Sequence, residues 1–463
     1  MSLTGAAFLL AFLGGLGLCV ARGPIWGLYT YLAVFYLDPP SRWWGAALPS
    51  LRWSLVAAAV TLIAVLARRK TDERAPFFSH GLTWILFLYV AWMWFQLTFA
   101  ISASHLTGVV LFTKYMVLLY LIYVIVDSYD RVRDFLLAHV AGCFFLGWLA
   151  FTAPGGGRLE GVGGAGINDA NTMSMHFGTG VIVASMLLMT ERGWRFWLPL
   201  AALPFMLNGM VQGVSRGAFV GLFAAGLCLF WLKPPAFRRQ FIAFGALGVL
   251  LFGYLANDFF LERMASLEAV TSDDKQLDFS AESRLVIVQA QWQMFLDHPF
   301  GAGHGGTAAL SPNYLSREYL TVDPRNPEGQ AGRSSHNTFM SILVDQGVPG
   351  IILLFALLAW VWTAVGYVTK RSGAETRVWG YGAAISAALA LAAVAGQFAP
   401  YLKAEVQIWL LGLLLCLRSL TARAKASVAE RQGALIVSRE VEGAGAIPQS
   451  RSGAVSPPQR PSG

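Results

Sequence analysis

Four residues from separate stretches of this 463-residue chain have side chains suited to holding a phosphorylated substrate and moving a proton: Arg158, Arg216, Arg284 and His336. Arg216 stands in Gly213-Val214-Ser215-Arg216-Gly217, at the end of an apolar run. Arginine presents a planar fork that matches phosphate oxygens, and a guanidinium at the edge of hydrocarbon is costly unless it meets a partner. Arg284 opens the stretch Ser283–Asp297, where Leu285, Ile287, Val288, Trp292, Phe295 and Leu296 fit an amphipathic helix lying on a membrane surface. The preceding Glu282 suits a helix N-terminus, whereas a cation in the first turn opposes the dipole. An anionic ligand would give Arg284 a reason to be there; a plain surface arginine is the alternative. Arg158 lies beside Glu160 in the glycine-rich Gly155–Gly166, which lacks the Gly-Lys-Ser/Thr ending of a nucleotide loop. His336 sits between Ser334-Ser335 and Asn337, directly before the apolar stretch Thr338–Val368. Histidine titrates near neutrality, and a helix N-terminus keeps it neutral, as a general base must be.

Other chemistries fit less well. Gly213–Gly217 also matches the Gly-x-Ser-x-Gly elbow of serine hydrolases, but that elbow needs a strand before it, and apolar helical stretches flank it here. His176, His298 and His304 lack the spacing of a metal site, and the sequence shows no Cys/His cluster. Cys19, Cys143, Cys228 and Cys416 each lie inside an apolar run and are read as packing residues. Asp273, Asp274 and Asp278 read as a solvated loop. Neither a metal nor another cofactor is expected.

The elements that must position these residues are set by composition. The chain is 56% hydrophobic and 13% charged, where soluble domains carry about 25% charged residues. Apolar runs of roughly 20 residues span a bilayer, and in lipid they must be helices. The expected fold is therefore an all-α integral membrane protein. Spans fall at Leu3–Val20 with Pro24–Leu37, Trp53–Ala67, Leu82–Ile101, Leu106–Val126, Phe135–Thr152, Thr172–Met189, Phe196–Asn208, Gly217–Leu232, Phe241–Asn257, Thr338–Val368, Val378–Gln397 and Glu405–Leu417. Taking the first two stretches as one broken element gives 12. Met1–Val20 has no basic leader region and reads as a membrane segment rather than a removable signal.

With alternating sides, the connections on one face hold 17 Lys and Arg against 5 in the short connections of the other. Basic loops stay in the cytoplasm, so the long polar interval faces outward. The net charge of +8 belongs to these helix ends, and no basic cluster interleaved with aromatics points to nucleic acid. The chain divides into N-terminal transmembrane helices (1–257), an outer loop with catalytic residues (258–337), C-terminal transmembrane helices (338–419) and a disordered cytoplasmic tail (420–463). On this topology Arg158, Arg216, Arg284 and His336 share the outer face. Arginines would hold a lipid diphosphate as it leaves, and the histidine would deprotonate an incoming hydroxyl. That chemistry is sugar transfer from a lipid diphosphate to an alcohol.

The motifs also carry a resemblance. Ser335-His336-Asn337-Thr338-Phe339, with Gln346-Gly347-Val348-Pro349-Gly350 after it and His298-Pro299-Phe300-Gly301-Ala302-Gly303 before it, resembles the signature of the O-antigen ligase and polymerase superfamily. Ser283-Arg284, Ser215-Arg216-Gly217 and Asn168-Asp169-Ala170-Asn171 also match, although Ala170 stands where proline is frequent in the family. The similarity covers Pro154 to about Leu354. It implies a GT-C-like glycosyltransferase in the bacterial inner membrane, a bundle of about 12 transmembrane helices with a large periplasmic loop carrying short amphipathic helices. The implied donor is an undecaprenyl-diphosphate-linked glycan and the implied acceptor is lipid A–core, with neither metal nor ATP. His336 resembles the general base, and Arg216 and Arg284 the diphosphate-binding arginines, of a one-step inverting transfer. Arg158, Asn171, Ser215, Ser335, Asn337 and His304 are the accompanying substrate-binding candidates. A polymerase or a protein O-oligosaccharyltransferase shares donor and motif and differs in acceptor; the moderate outer loop and the lack of an extra soluble domain favour the ligase. A non-catalytic transporter of lipid-linked glycans would more often carry charges at mid-span and internal repeats.

Overall fold

A computed structural model describes residues 2–68, 74–153, 159–164, 166–232, 238–255, 275–321, 332–333, 335, 337–371, 376–399, 401 and 404–445. Arg158 and His336 lie outside the described residues, and of Arg284 the backbone alone is described. The chain forms two units, residues 1–420 and 421–463.

Fifteen helices run through the described residues: α1 (Leu3–Arg22), α2 (Ile25–Leu37), α3 (Trp53–Ala67), α4 (Gly81–Gln96), α5 (His105–Ile125), α6 (Tyr129–Thr152), α7 (Ala170–Thr190), α8 (Trp194–Gly213), α9 (Arg216–Leu232), α10 (Arg238–Leu255), α11 (Lys275–Asp297), α12 (Gly306–Tyr314), α13 (Thr338–Arg371), α14 (Thr376–Ala395) and α15 (Glu405–Gly445). Among the described residues no strand forms, only an isolated antiparallel bridge between Thr321 and Gly332. Among the described residues seven helices are long and apolar enough to cross a membrane, and α3, α4 and α9 are shorter apolar helices. The two N-terminal apolar stretches are separate helices: Gly23, at φ 141°, ends α1, and Pro24 leads into α2. Large apolar side chains such as Phe223, Trp231 and Trp362 stand exposed, as a lipid-facing surface requires.

The core is organised on α7, where every residue but Asn171 and Ser185 is buried. Small residues make this possible. A Cβ on Gly178 would sit 2.6 Å from Leu391 of α14, and one on Gly180 would sit 2.8 Å from Cys143 of α6 and from Met206 of α8. Close backbone approach at small residues is the usual basis of helix packing in membranes.

Two helices differ from their expected limits. The helix expected over Ser283–Asp297 starts at Lys275, because Gln276, Leu277, Ala281 and Glu282 are good helix formers that prolong it backwards. The last helix continues to Gly445, into the stretch read as disordered. That stretch lacks an apolar period, yet its Ala, Arg, Lys, Glu and Gln residues favour helix intrinsically. In α13 the helix breaks at Gly347, at φ 64° and ψ −155°. The carbonyl of Pro299 would lie 2.3 Å from a Cβ there and accepts the next N–H, that of Val348, at 2.9 Å. Only glycine fits both demands.

Candidate active site at three helix N-termini

The turn Gly396–Tyr401, just past the end of α14, is the place where most of the expected site stretches meet. Sequence reasoning gave it no role. It holds the start of α13: Thr338 N–H donates to Gly396 O at 2.7 Å, Thr338 Oγ1 donates to Ala399 O at 2.9 Å, and Tyr401 N–H donates back to Thr338 Oγ1 at 2.9 Å. It holds the start of α7 as well, because the Tyr401 hydroxyl donates to Asn171 O at 3.0 Å. The start of α9 packs on it: a Cβ on Gly217 would lie 2.7 Å from Phe398. The end of α8 packs against the start of α7. Gly213 comes so near α7 that a Cβ would lie 2.1 Å from Ser174 Oγ, and Gln212 O accepts the N–H of Leu159, the residue after Arg158, at 3.0 Å.

Each of the three helices begins on a residue built for the purpose. Asp169 caps α7, its Oδ1 taking the N–H groups of Asn171 and Thr172 at 3.1 Å each. Ser215 Oγ accepts from Ala218 N–H at 3.4 Å at the start of α9. Asn337 caps α13, its Oδ1 taking Phe339 N–H at 2.8 Å and Met340 N–H at 3.1 Å, while its Nδ2 donates to Gln397 Oε1 at 3.1 Å. These are the preferred N-cap residues. Three helix N-termini held at one turn bring positive dipole ends to it, an arrangement suited to an anion. Arg216, the first residue of α9, adds a full charge to it. Val214, two residues earlier, is held at φ 46° and ψ 46°. A β-branched residue in the left-handed region is strained by about 1–3 kcal/mol, and such strain gathers at functional sites.

A second arrangement ties the loop after α11 to α13. The loop Pro299–Gly306 carries left-handed glycines at 301, 303 and 305 and is laced to α13 and to the connection between α4 and α5. Ala302 N–H donates to Val344 O and Gly303 N–H to Asp345 O, each at 2.9 Å. Gln96, fully buried, donates from Nε2 to Phe300 O and Asp345 O at 3.0 Å each. His105 Nδ1 accepts the His304 N–H at 2.8 Å. Asp345 Oδ2 accepts Gly305 N–H at 2.9 Å and stands 3.8 Å from His304 Nδ1. Beyond the loop, Ser311 Oγ of α12 accepts Arg333 N–H at 2.7 Å. Tyr314 donates to Asp297 Oδ2 at 2.6 Å, a bond that pushes the phenol up to about 12 and keeps it neutral.

Of the nine expected site residues, Asn171, Ser215, Arg216, Ser335 and Asn337 belong to the helix starts at the turn. Ser335 Oγ bonds both ways with Asn337, accepting its N–H at 3.1 Å and donating to its carbonyl at 2.8 Å. Ser335 and Asn337 thus bracket His336 in the chain. His304 is 6% exposed and wedged against Gly108, whose Cβ would meet its ring at 2.5 Å. It belongs to the laced loop. Arg284 sits in the third turn of α11 rather than the first, so the conflict with the helix dipole that marked it out disappears.

The expectation that no Cys/His cluster exists is corrected. His139, Cys143 and His176 come together, buried, with potential ligand atoms all within 4.8 Å. A span of 33 residues between Cys143 and His176 hid this; the one local sign was the i, i+4 spacing of His139 and Cys143, which puts both on one helix face. Sequence reasoning also missed Gln96, His105 and Asp345, whose partners lie far away in the chain.

A search of curated proteins found no match. The family model described as O-antigen ligase matches residues 200–355, from α8 into α13, a stretch that contains Ser215, Arg216, Arg284, His304, Ser335, His336 and Asn337. Over that stretch, about a third of its length, the chain is similar to the O-antigen ligase family, and its apolar membrane-length helices accompany the match.

Proposed function

We propose that the protein is a glycosyltransferase that moves an O-antigen glycan from undecaprenyl diphosphate to a hydroxyl of lipid A–core, in a bacterial inner membrane, with its site facing the periplasm. The observation that carries this reading is the meeting of the N-termini of α7, α9 and α13 at the turn Gly396–Tyr401, with Arg216 at one of them. An anionic head would bind there while its lipid tail stayed in the bilayer. Arg216, Arg158 and Arg284 hold the diphosphate and stabilise it as it leaves. His336, next to the Asn337 cap, takes the proton from the acceptor hydroxyl as that oxygen attacks the anomeric carbon. The bond to the diphosphate breaks in the same step, and the anomeric centre inverts. The charge alternation of the connections supports a bundle of about 12 spans with residues 258–337 outside.

The test is made with purified protein in detergent, an undecaprenyl-diphosphate-linked glycan and lipid A–core, with product read as a mobility shift. Wild type forms product; His336→Ala loses about 10²–10⁴ in rate, the usual contribution of a general base. No product from folded wild type would overturn the ligase assignment. Offering the donor to itself and to acceptor proteins then tests a polymerase and a protein O-oligosaccharyltransferase. Product formed in detergent, without two compartments, excludes a transporter.

A further inference from the structure

Below the helix N-termini, six residues or about 9 Å along α7 from Ala170, lies the buried polar cluster of Tyr36, His139, Cys143, His176 and Thr179. Its hydrogen bonds fix its protons. Thr179 Oγ1 donates to His176 O at 2.7 Å, so it accepts from His139 Nε2–H at 3.1 Å. His139 Nδ1 therefore carries a lone pair and accepts the Tyr36 hydroxyl proton at 2.6 Å. With its proton committed, Tyr36 Oη accepts from His176 Nε2–H at 3.1 Å. His176 Nδ1 is left buried with no hydrogen-bond partner. Cys143 Sγ stands 3.9 Å from the Tyr36 hydroxyl and from both ring nitrogens of His139. Two glycines keep this space open: a Cβ on Gly142 would lie 2.1 Å from the Tyr36 ring, and one on Gly180 would lie 2.8 Å from Cys143 Sγ.

We propose that Tyr36, His139, Cys143 and His176 form an intramembrane site for a thiophilic d10 cation, Zn2+ or Cu+, that ties α2, α6 and α7 together. Imidazole and thiolate are the ligands such ions select. Around a tetrahedral zinc, neighbouring ligand atoms lie roughly 3.3–3.6 Å apart; the Tyr36 contacts of 2.6, 3.1 and 3.9 Å bracket that range. The second shell is in place for His139, whose Nδ1 would bind while Nε2–H stays on Thr179. His176 offers either Nε2 or the unpartnered Nδ1. Charge also balances, as burial in hydrocarbon demands. Zn2+ displaces the Cys143 thiol proton and the Tyr36 phenol proton, releasing two protons and leaving a neutral site. Cu+ displaces the thiol proton alone, and Tyr36 stays neutral. No redox step is involved. The ion acts on the fold rather than on substrate, and the proposal stands independently of the reaction assigned to the helix N-termini.

The full chain is purified from cells supplied with zinc and copper, and its metal content is measured after desalting. Separately, metal-stripped protein is reconstituted with Co2+ and read for the thiolate-to-cobalt charge-transfer band. Wild type should retain close to one ion per chain and show the band. Cys143→Ser and His139→Ala should lose both, whereas Cys19→Ser and Cys228→Ser keep them. Tyr36→Phe separates the two ions, cutting retention of zinc but not of copper. If a variant fails to fold, thermal unfolding of wild type decides: added metal must raise the midpoint of stripped wild-type protein. Retention below about a tenth of an ion by folded wild type, unchanged content in Cys143→Ser, or no shift on adding metal would each overturn the site.

Discussion

Replacing Asn337 by alanine and by aspartate separates the cap from the anion site. The Asn337 side chain makes three hydrogen bonds, two from Oδ1 to the start of α13 and one from Nδ2 to Gln397. Alanine loses the cap, at about 0.5–2 kcal/mol, and the amide bond, at about 0.5–1.5 kcal/mol. Asn337→Ala should therefore lose about 1–3.5 kcal/mol. Aspartate keeps the cap, favours the helix dipole, and can accept from Gln397 once that amide turns over. Asn337→Asp should unfold close to wild type. It also places a negative charge at the N-terminus proposed to face the diphosphate. Two like charges about 5 Å apart repel by about 1–3 kcal/mol between bulk water and an effective dielectric of 20. That is roughly a 5- to 150-fold loss of donor affinity. Thermal unfolding in detergent reads the first effect, and initial rates over a donor series read the second. An aspartate variant with wild-type stability and a wild-type donor KM would refute the placing of the diphosphate at α13.

Three further outcomes follow from the same geometry. Arg216→Lys keeps the charge at the start of α9 but loses the planar fork, so kcat/KM should fall about tenfold or more; full activity would remove the bidentate role. Gln96→Leu leaves the Phe300 carbonyl without its amide donor and takes one of two donors from the Asp345 carbonyl, which keeps the Gly303 N–H, and should lower stability by about 1–3 kcal/mol, a loss that unfolding midpoints would miss only if the lacing were unimportant. His80 bonds through Nε2 to the Tyr123 hydroxyl at 2.8 Å, and burial holds its imidazole below its usual range. The unfolded chain then binds the proton first, so this stability is present above about pH 6.5 and is lost as pH falls toward the lower folded value. His80→Phe should flatten the fall in unfolding midpoint between about pH 7 and 5; an unchanged slope would assign it to other groups.

What could be read from the sequence was what is local. Helix positions follow from apolar runs, and the stretches around Asn171, Arg216 and Asn337 were marked by polar residues at the ends of such runs. The structure explains the marking, since each stretch caps a helix. The partner they share, Gly396–Tyr401, reads as the end of an ordinary span, because Phe398 and Ala399 do their work through ring packing and a backbone carbonyl, and the Tyr401 hydroxyl reaches a carbonyl 230 positions away. Gln96 and Asp345 are single polar residues in apolar runs, and their bonds reach across 204 and 249 positions of chain. Tyr36 meets His139 and His176 across 103 and 140. No local pattern encodes such pairings. Arg284 shows the converse error: it stood out at an expected helix start, Ser283, that proves to lie eight residues earlier, at Lys275.

Thr321 and Gly332 exchange both of their backbone hydrogen bonds, at 3.1 and 3.0 Å, and the Thr321 hydroxyl adds a third at 3.2 Å. The chain between them therefore leaves and returns at one fixed point, with α12 on one side and the His336 stretch on the other. Lengthening a segment whose ends are already closed is inexpensive, about 0.6 kcal/mol for each doubling. Residues 322–331 can accordingly differ in size and sequence without loosening the helix starts nearby. An epitope or fluorescent peptide spliced there would report from the folded protein.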